Sequence, residues 1–217
     1  MKLKTIVLFF SLALAQVAFA GYQEGEDAYS IGDNVTAVAE WKPAAEAGDA
    51  AAQYSLGYFY HEGQDEGLDD VEAVKWYPMA ADQGHVVAQY KLASAYLYGH
   101  GVAKDEKEAA GWYRKSAEHG FSPAAEKLGW MYQFGVGVPK DTSEAVRWFR
   151  NGAEQGDSAS QCSLGAMYFL GIGVAQSNDE AMKWLMKSAE QGNPDAVKML
   201  ESGKGSAPEQ PKIQKEE

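Results

Sequence analysis

Apolar and small residues recur along this chain at spacings of three and four, and glycine-bearing turns interrupt them at regular intervals. Ala52, Leu56, Phe59, Tyr60 and Gly63 keep that spacing in one segment, and Ala73, Trp76, Tyr77, Ala80 and Ala81 keep it in the next. Each set falls on one face of a helix. The same positions then return with a period of 36. Leu56, Leu92, Leu128, Leu164 and Leu200 form one column, Tyr60, Tyr96, Tyr132 and Tyr168 a second, and Trp76, Trp112, Trp148 and Trp184 a third. Ala37, Ala73, Ala109, Ala145 and Ala181 carry the phase upstream, which sets Trp41 in the column of Tyr77, Tyr113, Phe149 and Leu185. Four full units run 49–84, 85–120, 121–156 and 157–192, and each predicts two helices.

Helix-end chemistry recurs in the same phase. Asp69-x-x-Glu72, Asp105-x-x-Glu108, Asp141-x-x-Glu144 and Ser177-x-x-Glu180 predict four capping boxes at the starts of the second helices. Gly48, Gly84, Gly120, Gly156 and Gly192 stand where those helices end in a left-handed residue. Ser122-Pro123 and Asn193-Pro194 predict a cap-then-proline start for the first helix that follows. A helix pair of this size cannot bury its apolar face alone, so neighbouring pairs must stack on a shared core. The predicted fold is an all-α solenoid of stacked antiparallel helix pairs. Small residues at Gly57, Ala93, Gly129 and Gly165 are expected to let helix backbones approach closely.

The ends of the chain fall outside the period. Lys2 and Lys4, the apolar run Thr5 to Ala15 and the small-x-small motif Ala18-Phe19-Ala20 predict a cleavable signal peptide, residues 1–20, and a mature chain beginning at Gly21. No later segment is long and apolar enough to span a bilayer, so no integral membrane segment is expected in the mature chain. Residues 21–48 form an N-terminal half-repeat, 193–202 a capping helix, and 203–217 a polar tail with nothing to bury.

Charge and motif content narrow the function. The 217 residues carry 31 acidic against 19 basic side chains, a formal net charge of -12, which repels a phosphate backbone and argues against nucleic-acid binding. The glycine pairs Gly99/Gly101, Gly135/Gly137 and Gly171/Gly173 lack the third glycine and the preceding strand of a dinucleotide site. His61-Glu62 lacks the second histidine of a zinc-protease helix, and neither a Gly-x-Ser-x-Gly elbow nor a Ser-x-x-Lys pair occurs. No catalytic residue, and so no enzyme, is expected. His61, His85, His100 and His119 stand at different phases, so stacking does not bring three together by symmetry and no metal site is expected. The acidic turn Glu62 to Asp70 has no calcium-loop spacing and is expected to be a solvated turn. Cys162, the single cysteine, has no cationic neighbour in sequence and is expected to be inert.

The recurring pattern resembles the Sel-one-like repeat, a relative of the tetratricopeptide repeat. Residues 124 to 156 carry it most fully, as Ala124, Leu128, Gly129, Tyr132, Gly135, Gly137, Val138, Asp141, Ala145, Trp148, Ala153 and Gly156. Residues 25 to 48, with Ala28, Tyr29, Gly32, Asp33, Ala37 and Trp41, are similar to the segment that opens bacterial members. The resemblance implies a right-handed superhelix whose first helices line a concave groove that binds other proteins, with no cofactor. Some secreted members carry a disulfide in each repeat, and this chain departs from them. Columns facing away from Ala52, Leu56 and Tyr60 vary from unit to unit, which marks Tyr54, Tyr58, His61, Tyr90, Leu97, Trp130, Gln133 and Phe169 as groove residues, flanked by Lys91 and Lys127. Two roles stay open to them: binding a partner, or packing against the neighbouring first helix. The expected function is a periplasmic scaffold or adaptor for a protein or peptide partner. The alternative is a secreted factor that binds a host protein or a competitor's toxin, and a cell-wall or β-lactam hydrolase ranks below both.

Overall fold

A computed structural model describes residues 20–62 and 69–204. The expected signal peptide, most of the acidic turn and residues 205–217 of the expected tail lie outside the described residues. Among the described residues there are eleven helices and no strand. Residues 20–30 form α1, followed by α2 (Asn34–Glu46), α3 (Ala50–Glu62), α4 (Asp70–Asp82), α5 (Val86–Tyr98), α6 (Glu106–Glu118), α7 (Ser122–Phe134), α8 (Thr142–Glu154), α9 (Ser158–Leu170), α10 (Asn178–Glu190) and α11 (Pro194–Lys204). Every helix from α2 to α10 packs on its successor, and α7 also touches α9, so the pairs α3/α4, α5/α6, α7/α8 and α9/α10 stack as a solenoid.

The periodic columns become the core. Leu56, Leu92, Leu128 and Leu164 are buried, as are Trp41, Tyr77, Tyr113, Phe149 and Leu185. The small first-helix residues lie against the rings of the second helices. A Cβ on Gly57 would sit 2.7 Å from the Tyr77 ring, and one on Gly129 would sit 2.7 Å from the Phe149 ring. α1 lies against α2 through Ala28, Tyr29 and Trp41, so the segment ahead of the first full unit is itself a helix pair with a short turn.

The second helices are capped as expected in one half of the motif. Asp69, Asp105, Asp141 and Ser177 accept from the backbone N–H of Glu72, Glu108, Glu144 and Glu180. The reciprocal bond is replaced. The N–H of each cap donates instead to the carbonyl of Tyr60, Tyr96, Tyr132 or Tyr168 on the first helix, at 2.7–3.0 Å. That leaves the glutamates free to pair with Lys75, Arg147 and Lys183.

First helices use a cap column the period alone did not mark. Asp49 and Asp157 accept from Ala52 and Ser160, and His85 accepts through Nδ1 from Ala88 N–H at 3.2 Å. Ser122 proves to be the first residue of α7, with Phe121 at the cap position and no side-chain cap, whereas Asn193 caps α11 as expected. Buried glutamines tie the units together. Gln53, Gln89 and Gln161 donate from Nε2 to the carbonyls of Ala45, Ala81 and Ala153, the last turn of the preceding second helix. Their oxygens face Gln83, His119 and Gln191, 30 residues on.

His85 gives this capping scheme a pH dependence. Burial pushes its imidazole below the usual range, and the cap needs an unprotonated Nδ1. The unfolded chain therefore takes up the proton first as pH falls through about 6.5, and stability is lost below that point. Between pH 7 and pH 5 the thermal midpoint of the parent should fall further than that of His85→Asn, which keeps an acceptor and does not titrate. Equal falls would separate the cap from the titration.

Candidate functional site

Side chains on the outward faces of α3, α5, α7 and α9 form two clusters. In the first, Tyr54 stacks on His85 with centroids 4.6 Å apart and planes 21° apart, and Tyr58 lies 6.0 Å from Tyr54. Lys91 Nζ reaches back from α5 to 5.3 Å above the Tyr58 ring and pairs with Glu62. The hydrogen bond from Lys91 holds the Glu62 carboxyl below its ordinary range. Burial, reinforced by the charges of Tyr58 and Glu62, pushes the Tyr54 phenol up to about 12. Tyr54, Tyr58, Lys91 and Glu62 thus form a neutralised aromatic bridge across two units.

The second cluster is open. Trp130 is 38% exposed, and its ring lies 5.6 Å from Phe134, which is 58% exposed. Phe169 and Leu170 end α9, both exposed, and Tyr98 ends α5, also exposed. Tyr98, Phe134 and Leu170 are 36 residues apart and occupy the last helical position before Gly99, Gly135 and Gly171. The sequence reading missed this column. It stands at a helix end, which has no further layer to cover it.

The other expected groove residues fall elsewhere. Leu97 is a correction: at 5% exposure it belongs to the core of the central units, where Val136 from the next unit's turn packs on the same cluster. Tyr90 takes a packing role, edge-on to Tyr113 and Phe121 at 5.4 and 5.2 Å. Gln133 is half-buried, and Lys127 pairs with Glu126 at 3.1 Å. Burial, and secondarily the charge of Asp195, pushes the Cys162 thiol up, away from the reactive thiolate.

His61 does not join the aromatic bridge. Its Nδ1 lies 2.6 Å from Asp70 Oδ1, and its ring is 5.9 Å from that of His100. The difference in phase keeps three imidazoles apart, as expected, but it brings two together with a carboxylate. His61 and His100 are 39 positions apart, one period plus three, the same separation as Leu97 and Val136 or Gln133 and Ile172.

The Sel1 repeat family model matches residues 50–85, 86–121, 122–157 and 158–193, one residue later than the units read from the columns. The chain belongs to the Sel1 repeat family. A solved Sel1 repeat protein from Oxalobacter formigenes is 36% identical, with a TM-score of 0.80 over 90% of this chain and 81% of that one. A protective antigen present in uropathogenic Escherichia coli strains is also 36% identical, with a TM-score of 0.81 over 88% of this chain. This chain spans only 42% of that antigen's length. An immunity protein from Pseudomonas aeruginosa, 23% identical with a TM-score of 0.51 over 83% of this chain and 68% of its own, shares the fold. No curated protein matches the chain. Sel1 repeats generally serve as non-catalytic protein-interaction scaffolds. No helix among the described residues is long and apolar enough to cross a membrane.

Proposed function

We propose that this Sel1 repeat protein is an exported, non-catalytic adaptor of the cell envelope that binds a protein partner along the C-terminal ends of its first helices. The observation that carries the reading is the exposed pair Trp130 and Phe134 on α7, with Tyr98, Phe169 and Leu170 exposed at the same ends of α5 and α9, large apolar side chains left open at matching places in successive units. Such side chains are typical interface anchors, and a rigid solenoid presents them with little ordering cost. The Tyr54, Tyr58, Lys91 and Glu62 bridge adds polar groups on α3 and α5. Export rests on the charged, apolar and small-residue pattern of residues 1–20.

The test is a crosslinked pull-down from envelope extract with the parent protein and a Trp130→Ala, Phe134→Ala double variant. Both side chains are exposed, so the variant should keep its helical circular dichroism. Loss of about 2 kcal/mol at such an anchor pair would weaken capture of the partner roughly 30-fold. Equal capture by both proteins would move the binding site off these helix ends. A second reading, an exported factor that meets a host protein, is supported by the likeness to the E. coli protective antigen. Recovery of the protein only from the periplasm would remove it.

A further inference from the structure

Three turns of the solenoid, those carrying Gly101, Gly137 and Gly173, fold back onto the unit before them in the same way. A Cβ on Gly101 would sit 2.0 Å from the carbonyl oxygen of Asp70, one on Gly137 2.0 Å from that of Glu106, and one on Gly173 2.1 Å from that of Thr142. The backbone contact is thus one construction made three times. It brings together three positions at each junction: the penultimate residue of a first helix, the first residue of the second helix in the same unit, and the residue before the second turn glycine of the next unit. At the two later junctions these are Leu97, Glu106 and Val136, then Gln133, Thr142 and Ile172. There the turn residues Val136 and Ile172 pack onto the apolar core.

The first junction carries His61, Asp70 and His100 instead. Each offers one ligand atom, and the three atoms lie within 4.8 Å of one another, the one such group of His, Cys, Asp or Glu among the described residues. We propose that His61, Asp70 and His100 form a binding site for a divalent transition-metal ion of the zinc class. Two imidazoles and one carboxylate are the ligand set such ions take, at about 2.0–2.2 Å from each ligand atom, and they leave a coordination position for water or a partner's side chain. A separation of at most 4.8 Å is closed onto one ion by small side-chain rotations. The site is open enough for an ion to enter, with Asp70 40% and His61 26% exposed at the side chain. The chain's net charge of -12 favours cation approach. An ion that takes His61 Nδ1 and Asp70 Oδ1 replaces the direct contact between them. The rest of the structure explains why the site is local: the next junction has Leu97 and Val136 where this one has imidazoles, and the one after has Gln133 and Ile172.

The repeat itself supplies variants that preserve the fold. His61→Leu and His100→Val place at the first junction the residues that the second junction carries at Leu97 and Val136. Zn²⁺ is titrated calorimetrically into the untagged parent and into each variant, with circular dichroism to confirm helicity. The expected result is one equivalent bound by the parent, at least tenfold weaker binding in each variant, and no displacement by excess Ca²⁺, which prefers oxygen ligands. A midpoint of thermal unfolding that rises with Zn²⁺ in the parent alone would agree with that result. Absence of saturable Zn²⁺ binding overturns the proposal, leaving the three residues a His61–Asp70 contact beside a tilted imidazole ring. Equal binding by parent and variants overturns it too, by placing the ion on the acidic surface.

Discussion

Gly137→Ala is expected to cost upwards of about 4 kcal/mol, at the extreme of single-residue effects. Two costs combine. Gly137 has φ +67°, where any other L-residue pays about 1–2 kcal/mol. Its Cβ would also lie 2.0 Å from Glu106 O and 2.4 Å from Glu106 C, backbone atoms of the first residue of α6 that cannot rotate aside. The turn must lift off the preceding unit, which opens the contact between two units as well as straining one residue. Gly156→Ala provides the control. It has φ +94° with nothing within 4 Å of the added methyl, so it should show the conformational cost alone. Thermal unfolding separates the two, since 1 kcal/mol shifts the midpoint by about 2–4 °C in a domain of this size. Equal shifts would mean that the turn is not seated on α6 as tightly as the geometry indicates.

That contact also accounts for what could and could not be read from the sequence. The core was legible because it obeys the period: Leu56 and its column, Tyr77 and its column, and the caps Asp69, Asp105, Asp141 and Ser177 recur at 36, and one physical requirement explains each column. The first-helix caps were harder, because Asp49, His85, Phe121 and Asp157 share a position but not a residue type. The glutamine ladder recurs at Gln53, Gln89 and Gln161, with Ala125 breaking it, and nothing in hydrophobic patterning draws attention to a buried amide. Only the carbonyls of the preceding helix end, which need a donor, explain it.

The candidate site was legible in part. Trp130 and Phe169 are exposed as the varying columns implied, yet Leu97 varies and is buried. Variation from unit to unit separates the residues the repeat requires from those it does not, but exposure depends on what the next unit lays over each position. The turn that brings Val136 to the core of Leu97 has a counterpart one unit earlier that brings His100 to His61. Both departures therefore come from an offset of one period plus three, which a comparison of columns at 36 leaves out. Tyr98, Phe134 and Leu170 escaped for the converse reason. They follow Glu62 in their column and stand at helix ends, where exposure depends on what covers the last turn.

The packing of first helix against second makes a prediction whose sign depends on background. Phe149 is 1% exposed, and its truncation to alanine should cost about 3–5 kcal/mol, for lost burial and the cavity between α7 and α8. Gly129 faces that ring, and a Cβ there would approach Cδ1 and Cε1 to 2.7 Å. In the parent, Gly129→Ala should therefore destabilise by about 1–3 kcal/mol, because the ring must shift within a filled core. In the Phe149→Ala protein the obstacle is gone. The new methyl then fills part of the cavity, and alanine's helix propensity exceeds glycine's by about 1 kcal/mol, so the same substitution should stabilise. Urea unfolding of the four proteins completes the cycle, with unchanged slopes as the check that one transition is being compared. A coupling of at least about 2 kcal/mol is expected from the opposed signs. If Gly129→Ala had one sign in both backgrounds, close approach would not be the reason for glycine at this position. Gly57, which faces the Tyr77 ring at the same distance, would then need an explanation other than room for the ring.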